Sequence, residues 1–358
     1  MRDRRHFLSC KCVVVAGCLL LFAAVALAQV SRAERVFSGK LGNKSRIQMR
    51  LRREGGTLSG VYFYERVGQD LSLRGEVSAE GDFTLREYGS GGAQTGVFKG
   101  KWKAADCEGC GDVLSGNWSK ADGTKALPFS LKVYPVSFRG PLRLMTRALS
   151  EQRRMYGISI EYPRIEGTGR ATVARFNRMM LAYVTKDATT YRKYILEGGD
   201  GGIFDLSYEV RLANDDLISV IFFYYSCYGS PKGCNAYSET LNYDLRRGRQ
   251  IEFEELFRRG ANYTQLLRDY CMRDLKNQYR GTEWAREKEL RANVEKVVVE
   301  NRKWTLTPEG LDLIFDSPEM NPPGRGETNV IVPYTVLREV IQPDGPLAIF
   351  TRELTATP

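Results

Sequence analysis

At 358 residues, with 42% hydrophobic and 27% charged residues, the chain is too long for one ordinary core and too apolar to be disordered. Its net charge is +10, but the lysines and arginines are scattered; no nucleic-acid partner is expected, and a solvated basic surface is a plainer reading than attraction to anionic envelope polymers. The single histidine is His6, which excludes Ser-His-Asp catalysis, Cys-His catalysis and histidine metal sites from everything after it.

The N-terminus has the pattern of a secretory signal peptide over residues 1–28. Arg2, Arg4, Arg5 and Lys11 precede an apolar run, Cys12 to Ala26, and Ala26-Leu27-Ala28 is an A-x-A cleavage site before Gln29. An uncleaved anchor is the rival reading, but the run is short of a full span and ends in small residues. Val15-Ala16-Gly17-Cys18 spells a lipoprotein box with too short an apolar stretch before it. Cleavage would leave a protein of about +7, periplasmic or secreted, with no integral membrane span. Export makes disulfides the default, so Cys107 with Cys110 and Cys227 with Cys234 are expected to pair. Zinc on Cys107 and Cys110 lacks a second ligand pair, and no metal or cofactor is expected.

Residues 34–134 are expected to be all-β. Arg46 to Arg52 and Asp82 to Tyr88 alternate strictly, and turn residues recur at roughly ten-residue spacing, which suits a small antiparallel barrel of about eight strands. Leu58-Ser-Gly-Val-Tyr62, Leu73-Arg-Gly-Glu-Val77, Phe98-Lys-Gly-Lys-Trp102 and Leu114-Ser-Gly-Asn-Trp118 form a loose repeat whose glycines would allow a tightly curved wall. Such a barrel either fills with its own side chains or holds a small ligand. Its strands are loosely similar to those of avidin-like and lipocalin-like barrels.

Residues 135–157 are expected to be a linker with a short helix near Arg143 to Arg153. The second domain, 158–345, opens with a strand over Ile158 to Ile165 and a helix over 171–185 carrying Val173, Phe176, Met180 and Val184 inward. Phe204 to Leu212 alternate as a half-buried strand. Leu217 to Tyr225 is an apolar strand covered on both faces; it turns at Cys227 to Cys234 and returns with Tyr237, Leu241, Tyr243 and Leu245 on one covered face. Helices follow at about Tyr263 to Gln278, with Cys271 as a buried free thiol, and at about Glu283 to Val299. Strands at Trp304 to Leu306, Leu311 to Phe315 and Asn329 to Val332, a helix from Tyr334 to Ile341, and a tail over 346–358 complete the chain. The order predicts two domains: an N-terminal antiparallel barrel and a C-terminal α+β domain with helices on an antiparallel sheet.

The second domain resembles the extracellular domains of RsiV-type anti-sigma factors, found also as the non-catalytic domains of peptidoglycan deacetylases of the PdaC type, both domains of unknown function. The likeness rests on Tyr162-Pro-Arg-Ile165, Leu217-Ile-Ser-Val220, Leu241-Asn-Tyr-Asp-Leu245, Gly248, Glu255-Leu-Phe257, Leu306-Thr-Pro-Glu-Gly310, Phe315 and Ile331-Val-Pro-Tyr334. Relatives commonly place a Gly-Ala-His type turn where this chain has the Cys227 to Cys234 loop, so that turn's role does not carry over. The resemblance implies an envelope-facing binding domain, in one branch a lysozyme receptor, without deacetylase or anti-sigma activity.

The expected function is therefore a non-catalytic module that binds peptidoglycan or an envelope or host protein such as lysozyme. The hairpin end offers Tyr224, Tyr225, Tyr228, Lys232, Asn235, Tyr237 and Glu239, with tyrosine rings suited to stacking on sugars or packing at interfaces. No catalytic residue is assigned. The alternative is a carboxylate-dependent glycan hydrolase using Glu239, or the cluster Glu252, Glu254 and Glu255. A third reading is small-ligand carriage in the barrel.

Overall fold

The computed structural model describes residues 33–43, 45–105, 111–167, 169–197, 201–229, 233–282, 287–300, 303–315 and 328–355. Residues 1–28, read above as a secretory signal, and Cys107, Cys110 and Lys232 lie outside them. The chain divides into two compact units between Val133 and Tyr134.

The first unit is a closed antiparallel barrel of eight strands in sequence order: β1 Ala33–Leu41, β2 Ser45–Glu54, β3 Thr57–Tyr64, β4 Leu71–Val77, β5 Asp82–Tyr88, β6 Gln94–Lys103, β7 Val113–Lys120 and β8 Ala126–Val133. Closure comes from β1 pairing with β8, Phe37 opposite Val133 through Leu41 opposite Phe129. The repeated glycines are where neighbouring strands leave no room for a Cβ. A Cβ on Gly75 would lie 1.8 Å from the Thr84 carbonyl oxygen on the next strand, and Gly100 faces Gly116 across β6 and β7.

The barrel interior is packed with side chains. Phe37, Tyr62, Phe83, Phe98, Trp102, Trp118 and Phe129 are buried, and Phe98 meets Tyr62 and Phe129 edge-on at 5.2 and 5.3 Å. Polar tips of this core end on two buried carboxyls. Glu87 accepts bonds from the Tyr62 hydroxyl (2.6 Å), the Trp118 indole N–H (2.7 Å) and the Thr95 hydroxyl (2.5 Å). Asp112 accepts from the Trp102 indole N–H (2.6 Å), the Ala105 N–H (3.1 Å) and the Arg35 guanidinium. Burial and the Glu87 bond push the Tyr62 hydroxyl far above its ordinary pKa.

The second unit contains a six-stranded sheet, again in sequence order: β9 Arg143–Gln152, β10 Tyr156–Glu166, β11 Gly202–Ala213, β12 Leu217–Tyr228, β13 Cys234–Asp244 and β14 Arg249–Gln250. The segment expected to be a linker with a helix is instead β9, paired antiparallel with β10 over ten residues from Gln152–Gly157 to Arg143–Glu166. A hairpin with β10 satisfies its backbone, and this outweighs the helix propensity of Arg-Leu-Met-Thr-Arg-Ala-Leu. The sheet is also mixed, not purely antiparallel: β10 and β11 run parallel, Tyr156 beside Gly202 through Ile160 beside Leu206.

A parallel pair needs a crossover that brings the chain back to the same end. Helix α1, Ala171–Leu196, makes it; its 26 residues cover about 39 Å. It buries Val173, Phe176, Met180 and Val184, then Ala188, Tyr191 and Ile195, against one sheet face. Asn177 fixes its entry: its amide donates to the Ile165 carbonyl (2.8 Å) and accepts from the Ile165 N–H (3.0 Å).

A second core lies under α2 (Tyr263–Gln278), α3 (Glu287–Glu295) with the π-helical turn Lys296–Glu300, and a three-stranded antiparallel sheet of β15 Trp304–Leu306, β16 Gly310–Phe315 and β17 Thr328–Pro333. Cys271 is buried and free, and burial raises its thiol pKa well above the ordinary range. The expected helix from Tyr334 is only the turn Tyr334–Leu337, and the segment expected as a tail carries α4, Ala348–Thr355, whose Phe350 stacks on Tyr334 at 4.1 Å.

The two sheets are joined by a buried polar chain. The Ser219 hydroxyl donates to the Asn242 side-chain oxygen (2.6 Å) and accepts from the Leu306 N–H (2.8 Å), while the Asn242 amide donates to the Trp304 carbonyl (2.9 Å). This packing explains a departure in β13. Leu241, Asn242, Tyr243 and Asp244 are all buried, so its second half is covered on both faces and not on one.

Edge strand β9 is tied to α1 through Glu151. Its carboxylate accepts from Tyr156 (2.8 Å), twice from Arg192 (2.6 and 3.0 Å) and from Arg153 (3.1 Å). The Tyr156 bond first and the Arg192 bond second lower its pKa from 4.5 to about 2. A depressed carboxyl contributes stability above its unfolded pKa and loses that contribution as pH falls through its folded one. Urea midpoints of wild type and Glu151→Gln are therefore expected to differ at pH 7 and to converge between about pH 4.5 and 2. A gap that persists at pH 2 would assign the effect to packing.

Candidate functional site

The first half of β12 is fully enclosed, since Leu217 to Phe222 are each buried. Beyond it the β12–β13 hairpin keeps one side in the core, through Phe222 and Tyr224, and continues with Phe222 opposite Glu239, Tyr224 opposite Tyr237 and Cys227 opposite Cys234. Cys227 and Cys234 form a disulfide with Cα atoms 3.9 Å apart. Strand β14 pairs only with Tyr243 and Asp244. Among the described residues, no strand covers the outer edge of β13 from Cys234 to Leu241.

Alternation along paired strands divides the named residues between two faces. Tyr228, Asn235, Tyr237 and Glu239 share the α1 side with Tyr224. Tyr225 belongs to the opposite side, where its hydroxyl lies 3.0 Å from the Cys227 sulfur. Tyr225 and Tyr237 are 41% and 42% exposed, whereas Tyr224 is 2% exposed. The buried ring supports the exposed one: Tyr224 and Tyr237 stack at 4.6 Å with planes 3° apart.

Helix α1 supplies the rest of the site. The Tyr183 hydroxyl donates to Glu239, its ring packs on Phe222 at 5.3 Å, and Tyr191 and Tyr194 flank Tyr228 at 5.2 and 4.9 Å. The Tyr191 hydroxyl donates to the Cys227 carbonyl (3.2 Å), tying the helix to the hairpin end. Burial, then the charge of Tyr228, raises the Tyr191 pKa to about 12. Burial chiefly, with Tyr183 as the next cause, raises that of Tyr224 much further.

Asp187, one helical turn beyond Tyr183, completes the group. Its pKa is raised, by burial first and by the negative charge of Glu239 second. Two carboxyls and three tyrosines, Asp187, Glu239, Tyr183, Tyr224 and Tyr237, thus interact where the helix meets the uncovered strand edge. Tyr183, Asp187, Tyr191 and Tyr194 were not anticipated. Their spacing of four, four and three keeps them on one helical face, which is the signal that locates them.

The other candidate acids are committed locally. Glu252 and Glu255 form a capping box on the 3-10 turn Phe253–Leu256, and Glu255 accepts twice from Arg249, at 2.7 and 2.9 Å. Glu254 lines a cleft of about 550 Å³ with Arg258, Arg259, Tyr263 and Asp344.

No family model and no curated protein matches the chain. Among solved structures it is similar to a DUF3298 family member from Bacteroides fragilis, at 13% identity and a TM-score of 0.46 over 60% of this chain and 98% of that one. It is also similar to a DUF3298 family protein from Pseudomonas aeruginosa PAO1, at 16% identity and a TM-score of 0.39 over 57% of this chain and 94% of that one. Likeness at this level assigns no activity.

Proposed function

We propose that this is an exported protein of the cell envelope whose C-terminal unit is a non-catalytic recognition module for peptidoglycan. The observation that carries the reading is the exposed Tyr237 ring, stacked on buried Tyr224 at a strand edge that no other strand among the described residues covers. A ring held in place loses little entropy when a sugar face or a partner side chain packs on it. The Cys227–Cys234 bond restrains the same hairpin end. The secretory pattern of residues 1–28 and the motif resemblance to envelope-facing domains support the location and the partner class. No helix among the described residues is long and apolar enough to cross a membrane.

The test is co-sedimentation of the protein from Gln29 onward with purified peptidoglycan, with a lysozyme pull-down in parallel. Retention on peptidoglycan is expected, and Tyr237→Ala should weaken it about tenfold, the loss of roughly 1.4 kcal/mol from one stacked ring. Capture by lysozyme alone would replace the glycan by a protein partner. Retention by neither would sink the reading.

Asp187 and Glu239 favour one second reading. Burial first and the charge of Glu239 second raise the Asp187 carboxyl, and glycan hydrolysis requires two acids of unlike environment. On that reading the protein releases soluble muropeptides, and Asp187→Asn and Glu239→Gln each reduce release at least a hundredfold. Release that survives both substitutions rejects it.

A further inference from the structure

The barrel carries a second candidate site. One end, bounded by the turns β2–β3 and β4–β5, opens into a cleft of about 710 Å³. Trp102 forms its floor, 9% exposed, with its indole N–H held by Asp112 at 2.6 Å. The β4–β5 turn is closed onto that floor: the Trp102 N–H donates to the Gly81 carbonyl at 2.7 Å. Gly81 has φ +87°, and a Cβ there would meet the Trp102 carbonyl oxygen at 2.3 Å, so only glycine allows this approach.

The lining is cationic. Arg35, Arg53, Lys101 and Lys103 face two carboxyls, Glu80 and Asp112. Asp112 is already engaged by Arg35 and Trp102, and Lys101 pairs with Asp82 outside the cleft at 3.3 Å. The Arg53 guanidinium lies over the Trp102 ring, 5.9 Å from its centroid, held by a 3.0 Å bond from its Nε to the Gly55 carbonyl. An apolar ring and cations therefore share one concave surface, while the interior beyond is filled by the barrel's own rings.

We propose that this end of the barrel binds an amphiphilic anion, with its headgroup between Arg53 and Lys103 and its apolar part on the Trp102 indole. A simple ion would use the cations and leave the indole idle. A neutral apolar ligand would bring no anion to Arg53 and Lys103, the two cations of the lining that are not engaged by Asp112 or Asp82. The chemistry is shared by a soluble alkyl phosphate and by an anionic lipid headgroup, and the experiment separates the two.

Calorimetric titration of the protein from Gln29 onward with dodecyl phosphate below its micellar concentration should show one site per chain, weakened by added salt. Inorganic phosphate and dodecyltrimethylammonium should each bind at least tenfold more weakly. The double variant Arg53→Ala/Lys103→Ala should lose at least tenfold in affinity while its thermal unfolding midpoint stays within a few degrees of wild type. Lys103→Ala alone, an exposed change, gives a smaller loss and serves if the double variant fails to fold. Sedimentation with vesicles containing anionic phospholipid, lost in the variants, identifies the lipid surface as the source; binding of the soluble amphiphile without vesicle binding identifies a free ligand. Absence of dodecyl phosphate binding, equal binding of the cationic amphiphile or of inorganic phosphate, or variants that bind as wild type would each overturn the proposal.

Discussion

Glu87→Ala is expected to destabilise the barrel by about 3–4 kcal/mol, because it strands two buried donors, the Tyr62 hydroxyl and the Trp118 indole N–H, and takes the acceptor from exposed Thr95. The Tyr62 hydroxyl, the Trp118 indole N–H and the Thr95 hydroxyl all end on this one carboxyl, itself only 4% exposed. Removing a shared acceptor costs more than removing any single donor. Glu87→Gln keeps one acceptor but turns an amide N–H₂ toward groups that already donate, so an intermediate loss of about 1–2 kcal/mol is expected. Gly96→Ala should approach the full loss by another route, since a Cβ there would lie 2.4 Å from the Trp118 Nε1 and 2.9 Å from the Glu87 carboxyl. Hydrogen exchange of barrel peptides in the full chain separates this unit from the rest. Protection in Glu87→Ala within 1 kcal/mol of wild type would show that the three donors find other partners.

The second large effect is expected at the junction of the two sheets. Asn242→Ala removes the acceptor of the Ser219 hydroxyl and the donor to the Trp304 carbonyl, at a cost of about 2–3 kcal/mol. Ser219→Ala frees the Leu306 N–H as well and should cost about 1–2 kcal/mol. Because the two side chains bond each other at 2.6 Å, their effects should not add: the double variant is expected to be at least 0.5 kcal/mol milder than the sum. Urea unfolding of the four proteins closes the cycle. Additive losses would mean that each residue acts through its own bond to the three-stranded sheet alone.

Much of this architecture is legible in the residues. The barrel follows from strict alternation and strand glycines, and α2 begins and ends where the periodicity of Leu267, Cys271 and Leu275 places it. The errors share a cause. Arg143 to Gln152 contains good helix formers, and only its ten-residue ladder with β10 makes it a strand. Helix α1 is expected over 171–185 only, whereas its buried stripe runs on through Ala188, Tyr191 and Ile195 beside Thr185, Thr189 and Thr190. In the fold their hydroxyls bond back to the carbonyls of Leu181, Thr185 and Lys186 at 2.7, 2.8 and 3.1 Å, and the helix continues. Ending the helix early hides Asp187, Tyr191 and Tyr194, and with them half of the aromatic site. The hairpin half, Tyr237 and Glu239, is local in sequence; the helical half arrives by a crossover whose return point no pattern encodes.

In both the barrel and the six-stranded sheet, spatial neighbours are also neighbours along the chain. One ladder breaks that rule: β1 with β8, where Phe37 meets Val133. Chain order is therefore a workable order of assembly. In the barrel each hairpin can form against the one before it at low loop-closure cost, and the last and slowest event there is the pairing of its two ends. Until that seam zips, β1 and β8 both present open edges, so the interval before closure is when one copy is most exposed to pairing with another.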